Sequence, residues 1–184
     1  MPRTSTQSSA HSRHESGVRR STSHSRKSTD AYALLQEDHK HVQKMFKRFE
    51  KMDREDADAM RELVETACME LEIHTQLEEE LFYPALREAG DEEKSHLLDE
   101  AQVEHDSAKQ LIAELRELQP DDPRYAATFT VLGEYVNHHI EEEESEIFKA
   151  AKKAKIDAEA LGEAIAERKQ QLQGEDGASS VRAR

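Results

Sequence analysis

The sequence has few of the residues that interrupt helices or crosslink chains. Its 184 residues include six Gly, four Pro, one Cys and no Trp, and aromatic residues make up 5%. A β-sandwich needs more β-branched and aromatic residues and more turn signals than this. The single cysteine, Cys68, excludes an internal disulfide and is typical of a reducing compartment. A chain rich in Glu, Lys, Ala and Leu with so few breakers predicts long helices.

Long apolar runs are also missing. No stretch approaches the roughly 18–20 apolar residues that a membrane-spanning helix requires. No apolar segment of a signal peptide follows the basic residues near the N-terminus. We therefore expect a cytoplasmic protein that has no membrane partner.

Charge is divided unevenly along the chain. Residues 1–29 carry six Lys or Arg and one acid, a net charge of +5, whereas the remainder carries 20 basic and 39 acidic residues, a net charge of −19. The acidic part repels nucleic acid and anionic membranes. The basic tail has almost no apolar residues, so we expect it to be disordered. Its Arg19-Arg20 and Arg26-Lys27 pairs allow contact with nucleic acid or acidic lipid, or a solubilising or targeting role.

Apolar residues at three- and four-residue spacing predict four helices of similar length. Asp30 is placed to cap the first helix at its N-terminus. Short polar or proline-containing turns join the helices, which predicts an all-α, up-down-up-down four-helix bundle over residues 30–152. The predicted helices span about 31–52, 57–83, 91–118 and 124–151.

The C-terminal part of the chain is predicted to add one more element. Asp157 is placed to cap a short extra helix within residues 153–173. The last residues, 174–184, have no apolar periodicity and are predicted to form a disordered tail.

Histidine and glutamate interrupt the apolar stripes of all four bundle helices. Burying each such group without a partner costs on the order of several kcal/mol, and a metal ion satisfies many of them together. The first and third helices contribute one histidine each, and the second and fourth each contribute a His-x-x-x-Glu pair. These residues are His39, His74, Glu78, His105, His139 and Glu143.

The positions of these six residues predict a centre for two metal ions. In an up-down bundle all six lie about 9–21 Å from one end, at about 1.5 Å per helical residue. A histidine and a glutamate four positions later share one helix face. Four imidazoles and two carboxylates suit two ions, each held by about two histidines and bridged by both carboxylates. Nitrogen and oxygen ligands without thiolate favour iron or manganese over structural zinc.

A neighbouring pair in the fourth helix is the main rival for these positions. His138 and Glu142 repeat the spacing of His139 and Glu143. The apolar stripe of the fourth helix favours His139 and Glu143 as the inward pair.

The pattern resembles the hemerythrin-like HHE cation-binding domains. The resemblance covers residues of about 30–150 and implies a four-helix bundle that holds two irons. Oxygen species and carboxylates would bridge the irons, which leave a position for O₂ or a related small ligand. The matching motifs are Asp38-His39, His74-x-x-x-Glu78-Glu79, Glu104-His105 and His139-x-x-x-Glu143-Glu144.

Two departures separate this chain from the oxygen-carrying members. Those proteins have a further histidine one turn before the ligand of the third helix, where this chain has Ala101. The second motif ends on Lys149 in place of proline. One iron would then have fewer imidazole ligands, so faithful reversible O₂ carriage is not the expected function.

The resemblance therefore implies iron-dependent binding of O₂, peroxide or nitric oxide for sensing, buffering or protection from oxidative stress. Two alternatives remain at this point. The first is a di-iron oxidoreductase that consumes peroxide or nitric oxide. The second is an interaction protein in which metal stabilises the bundle and the basic tail makes the functional contact.

Overall fold

The structure, a computed structural model, describes residues 30–54, 56–90 and 95–182. The predicted basic tail, 1–29, lies outside the described residues, as do 91–94, where the third helix was predicted to begin. The described residues form an all-α bundle without strands, so the predicted fold class is confirmed. Among them no helix is both long enough and apolar enough to cross a membrane.

Four helical segments form the bundle, and the second and fourth each contain a π-helical turn. The second segment comprises α2, a π turn and α3, and the fourth comprises α5, a π turn and α6. The last helix, α7, packs across α1 and α2. The bounds in chain order are α1 Ala31–Glu50, α2 Ala57–Leu77, the first π turn Glu78–Phe82, α3 Tyr83–Glu88, α4 Ser95–Glu117, α5 Pro123–Glu142, the second π turn Glu143–Ile147, α6 Phe148–Ala154 and α7 Ala158–Arg182.

Aspartate side chains cap the helices at their N-termini. Asp30 accepts a hydrogen bond from a backbone N–H in the first turn of α1 at 2.8 Å, and Asp157 does the same for α7 at 3.1 Å. Both predicted caps are therefore confirmed. Asp56 and Asp122 cap α2 and α5 at 3.0 and 2.8 Å. Each cap satisfies an N–H group that has no partner within its own helix.

The second helical segment continues past the end that the sequence predicts. The predicted second helix ends at about residue 83, just before Pro84, yet the chain remains helical to Glu88 before Gly90 adopts a φ of 80°. Pro84 lies in the first turn of α3, where its missing N–H is tolerated. The fourth segment makes the same π turn with Lys149 in the matching place, so proline is not the cause. Such turns are frequent at functional sites.

The C-terminal helix is longer than predicted. It begins at Ala158 and continues to Arg182, so it includes most of the segment that was predicted to be a disordered tail. Ile165 and Leu172 anchor it because both are buried against the bundle. Beyond Leu172 no proline interrupts the helix, and a glycine in a helix costs only about 1 kcal/mol.

A polar layer divides the core into two apolar clusters. One cluster includes Phe46, Phe49 and Phe129, and the other includes Phe82 and Phe148. The buried histidines and glutamates lie on each helix between the residues of these two clusters. The fold therefore surrounds the polar layer with closely packed apolar side chains at both ends.

Gly133 provides a test of the packing between α5 and α1. A Cβ atom at this position would lie 2.9 Å from the Phe46 ring. We expect Gly133→Ala to destabilise the protein by about 1–3 kcal/mol, as overpacking does, although alanine favours the helix. Thermal and urea unfolding of the purified variant would measure the change.

Gly174 supplies the matched control because nothing lies within 4 Å of an added Cβ there. We expect Gly174→Ala to be neutral or to stabilise the protein by up to about 1 kcal/mol. Equal behaviour of the two variants would contradict the close contact between Gly133 and Phe46.

Candidate metal centre

The six residues predicted from the sequence lie together in the polar layer. Glu78 and Glu143 are fully buried, and each histidine exposes no more than 7% of its surface. The α1 and α4 helices each supply one histidine, and the two His-x-x-x-Glu motifs lie where α2 and α5 pass into their π turns. The helical periodicity that buries the apolar residues above and below also turns these side chains inward.

The imidazoles meet in two pairs. In the first pair, the Nε2 atoms of His39 and His74 lie 3.1 Å apart. In the second pair, the Nε2 atoms of His105 and His139 lie 3.2 Å apart. Two imidazoles that bind one ion at about 2.1 Å, at a right angle, have their nitrogens about 3.0 Å apart. Both spacings therefore fit a metal ion shared within each pair.

Glu78 lies between the two pairs. One of its oxygens is 3.0 Å from Nε2 of His74, and the other is 3.3 Å from Nε2 of His105. Glu143 places an oxygen 3.1 Å from Nε2 of His39. Candidate ligand atoms of the buried cluster form two groups, and within each group the atoms lie within 4.8 Å of one another. Glu143 belongs to one group, whereas Glu78 belongs to both. The sequence predicted two bridging carboxylates, and in this structure Glu78 has the bridging arrangement.

The carboxylate oxygens of Glu78 and Glu143 are the clearest sign that a cation fits here. All four are buried, and none has a hydrogen-bond donor in acceptable geometry among the described residues. A buried carboxylate without a partner is costly, and a metal ion is a partner that these oxygens and the facing imidazole nitrogens can share. The residues present therefore fit a metal cofactor.

Proton affinities in the cluster indicate the same need for positive charge. Burial opposes protonation of His74, yet the Glu78 carboxylate raises the pKa of His74 to about 10. Despite its burial, His105 also has its pKa raised, to about 9, by contact with Glu78. Burial, together with the charge of Glu78, raises the pKa of Glu143. Without a metal ion, these groups therefore retain protons, which reduce the repulsion between the buried carboxylates. A bound cation would reduce the same repulsion.

The outer nitrogens of three histidines donate to carboxylates. Nδ1 of His39 donates to Glu144 at 2.8 Å. Nδ1 of His105 donates to Glu79 at 2.9 Å. Because a carboxylate only accepts, Nδ1 carries a proton, and Nε2 is the nitrogen that faces the centre and would hold a metal ion. The third such bond joins His139 and Glu104 at 2.8 Å.

These acids, together with Asp38 near His74, form a closed ring around the bundle that we call the acid ring: Asp38, Glu79, Glu104 and Glu144. Each member lies next in sequence to a candidate ligand on its own helix and faces the histidine of the next helix. The sequence alone did not identify this role. The signal was present as the acid beside each ligand in the four motifs, but solvated helix faces carry many similar acids.

Tyr83 also lies outside the predicted set of site residues. Its buried ring stacks on His105 with ring centroids 5.6 Å apart, and its hydroxyl lies 3.4 Å from Nε2 of that histidine. Burial and the charge of Glu78 raise the pKa of Tyr83 well above its usual value. The side chain is therefore a protonated hydroxyl directed at the centre at neutral pH.

A cavity of about 220 Å³ adjoins the four histidines. Val42, Leu71, Ala108, Val136 and Ile140 give it an apolar wall. Its volume exceeds the roughly 30 Å³ that one water molecule occupies in the liquid. The cavity can therefore admit a small, weakly polar molecule next to the candidate ligands.

The rival histidine pair of the fourth helix lies away from this cluster. His138 exposes 64% of its side chain and Glu142 exposes 43%, and the two lie 3.5 Å apart on the surface. His139 and Glu143 are the buried members of the same helix. The geometry therefore brings His139 and Glu143, and not the rival pair, to the inner cluster.

Comparisons with known proteins agree with the all-α fold and with a cation-binding domain. A family model described as the hemerythrin HHE cation binding domain matches residues 30–151. The chain is similar to the crystal structure of a hemerythrin HHE cation binding domain-containing protein from Mycobacterium kansasii, with 28% identity and a TM-score of 0.68. The similarity covers 79% of this chain and 88% of that chain. None of the curated proteins compared with the chain matches it.

The two adjacent histidines of α5 offer a paired test. We expect His139→Ala to weaken metal binding by at least about 10-fold, because loss of a direct ligand should exceed the effect of losing a supporting hydrogen bond. His138→Ala should leave binding near the wild-type value, since its side chain is exposed. Titration of metal-free protein with ferrous iron under argon measures both variants. Equal losses would mean that the inward face of α5 is misassigned.

Proposed function

The chain belongs to the hemerythrin HHE cation-binding domain family, and we propose that it holds two iron ions that bind O₂, peroxide or nitric oxide. The proposed ligands are His39, His74, Glu78, His105, His139 and Glu143. We propose a role in sensing or buffering these molecules or in protection from oxidative stress.

The position of Glu78 is the observation that carries the proposal of two ions. Its oxygens face separate histidine pairs at 3.0 and 3.3 Å, although the side chain is fully buried. A single closed site of four ligands would leave candidate donors unused. Imidazole and carboxylate donors without thiolate suit iron, and the family supports a metal cofactor.

The protein residues have separate tasks in this proposal. Iron, when bound, supplies the change of oxidation state and the open coordination position that the small ligand needs. Glu79, Glu104 and Glu144 orient the imidazoles through Nδ1. The cavity wall combines apolar side chains with charged ones such as Asp38 and Lys169, and it leaves room for a small molecule beside the imidazoles.

Tyr83 favours a second candidate function, an oxidoreductase that consumes peroxide. Its hydroxyl is a proton donor near the second histidine pair, at 3.4 Å from Nε2 of His105. Cleavage of an O–O bond requires protons, and a positioned donor can supply one. A carrier would use such a hydroxyl only as a hydrogen-bond donor to the bound ligand, whereas an oxidoreductase can also use its proton.

Iron content tests the main proposal. We expect about two irons per chain after iron-replete expression, measured by elemental analysis against protein concentration. Glu78→Gln should lower the content at both positions because its oxygens face both histidine pairs. Glu142→Gln is the matched control, since Glu142 is an exposed acid next to Glu143, outside the inner cluster. Near-stoichiometric zinc, with refusal of iron on reconstitution, would contradict the proposal.

Exposure to O₂ separates the two candidate functions. Because Ala101 supplies no imidazole and Tyr83 supplies a proton donor, we expect reduced protein to become oxidised on mixing with O₂ and to remain so under argon. Stopped-flow optical spectra followed by argon purging measure the change. Full recovery of the reduced spectrum over several cycles would support a carrier. Peroxide turnover that falls several-fold in Tyr83→Phe would support the oxidoreductase.

A further inference from the structure

His74 differs from the other three histidines in the support of its outer nitrogen. Nδ1 of His39, His105 and His139 donates to a carboxylate at 2.8–2.9 Å. Nδ1 of His74 lies 3.7 Å from the nearest Asp38 oxygen, which is too long for a hydrogen bond. It has no hydrogen-bond partner among the described residues, although it is buried.

The partner that Asp38 takes in place of His74 comes from α7. Lys169 makes a short ion pair with the other oxygen of the Asp38 carboxylate. Lys169 also lines the cavity beside the histidines. The family match ends at residue 151, whereas α7 begins at Ala158. The residue that engages Asp38 therefore lies on a helix outside the matched segment.

Additional donors alone do not explain the difference, because other members of the acid ring have them too. Glu79 accepts from Lys109 at 2.7 Å and from Gln102 at 3.0 Å, and it still holds His105. Glu144 accepts from Gln36 at 3.0 Å and still holds His39. Those donors come from bundle helices and their acceptors are glutamates. Asp38 has one methylene fewer, so its carboxylate has less reach to serve two partners on different helices.

We propose that Lys169 is a positioning residue through which α7 weakens the hold of His74 on its metal ion. This inference rests on the proposed metal centre. While Lys169 engages Asp38, the His74 imidazole lacks the carboxylate that fixes its orientation and strengthens it as a ligand. When Lys169 withdraws, Asp38 can accept the Nδ1 proton of His74. The ion shared by His39 and His74 is therefore held less firmly while α7 is docked.

The rate of iron removal tests the inference in the full-length, iron-loaded protein. A ferrous chelator added under argon should extract the two irons in two phases. We expect Lys169→Met to slow extraction of one iron by about 10-fold, at the low end of the 10–100-fold range for such supporting contacts. Extraction of the other iron should not change. Lys169→Gln should slow extraction by the same factor. Agreement between the two variants would show that the slowing does not come from the packing of the methionine side chain.

Arg168→Met is the matched control. Arg168 is the neighbour of Lys169 on α7 and pairs with Glu80 at 2.7 Å, an acid outside the proposed ligands and the acid ring. Its loss removes one ion pair of α7 but leaves Lys169 able to engage Asp38, so extraction should not slow. Lys169→Arg should restore the wild-type rate, and Asp38→Asn added to Lys169→Met should abolish the slowing.

The outcomes separate the inference from the proposed function. Wild-type protein that takes up no iron would overturn the proposed function itself. Iron-loaded protein in which Lys169→Met matches Arg168→Met, or releases iron faster than wild type, would overturn the role of Lys169 alone. Slowing that persists with Asp38→Asn would also overturn it, because the effect would not pass through that carboxylate.

Discussion

Two buried carboxylates without hydrogen-bond donors set the main constraint on this structure. Glu78 and Glu143 are fully excluded from solvent and lie within 3.0–3.3 Å of imidazole nitrogens. None of their four oxygens has a hydrogen-bond partner among the described residues. Burial of the apolar clusters on either side must therefore offset the unfavourable free energy of burying this polar layer. The phenylalanines packed above and below it are well suited to that task.

The acid ring connects this constraint to the outer surface of the bundle. Glu79, for example, joins the buried imidazole of His105 to Lys109, which is partly exposed. Each such contact crosses from one helix to the next, so displacement of one helix would disturb a candidate ligand on its neighbour. Rigidity of the centre is consequently a property of all four helices together, and the π turns at Glu78 and Glu143 are part of the same arrangement.

The bundle and the six inward polar residues were predictable because helical periodicity alone decides which side chains share a face. The fourth helix illustrates this, since the phase of its apolar residues separates buried His139 from exposed His138. The π turns were not predictable, because closely similar motifs make them with a proline in one case and Lys149 in the other. Tyr83 and the pairing of Asp38 with Lys169 depend on contacts between distant helices, which periodicity does not encode.

The acid ring also has a rotational sense. In α1 and α4 the acid precedes the inward ligand, as Asp38 precedes His39, whereas in α2 and α5 it follows, as Glu144 follows Glu143. Adjacent helices run in opposite directions, so one step back on one helix and one step forward on the next point the same way around the bundle axis. A bundle wound with the opposite hand would direct every acid toward its other neighbouring helix. The order of acid and ligand along the chain, combined with the hand of the bundle, thus decides which neighbour each acid supports, a choice that a pattern of apolar stripes alone does not specify.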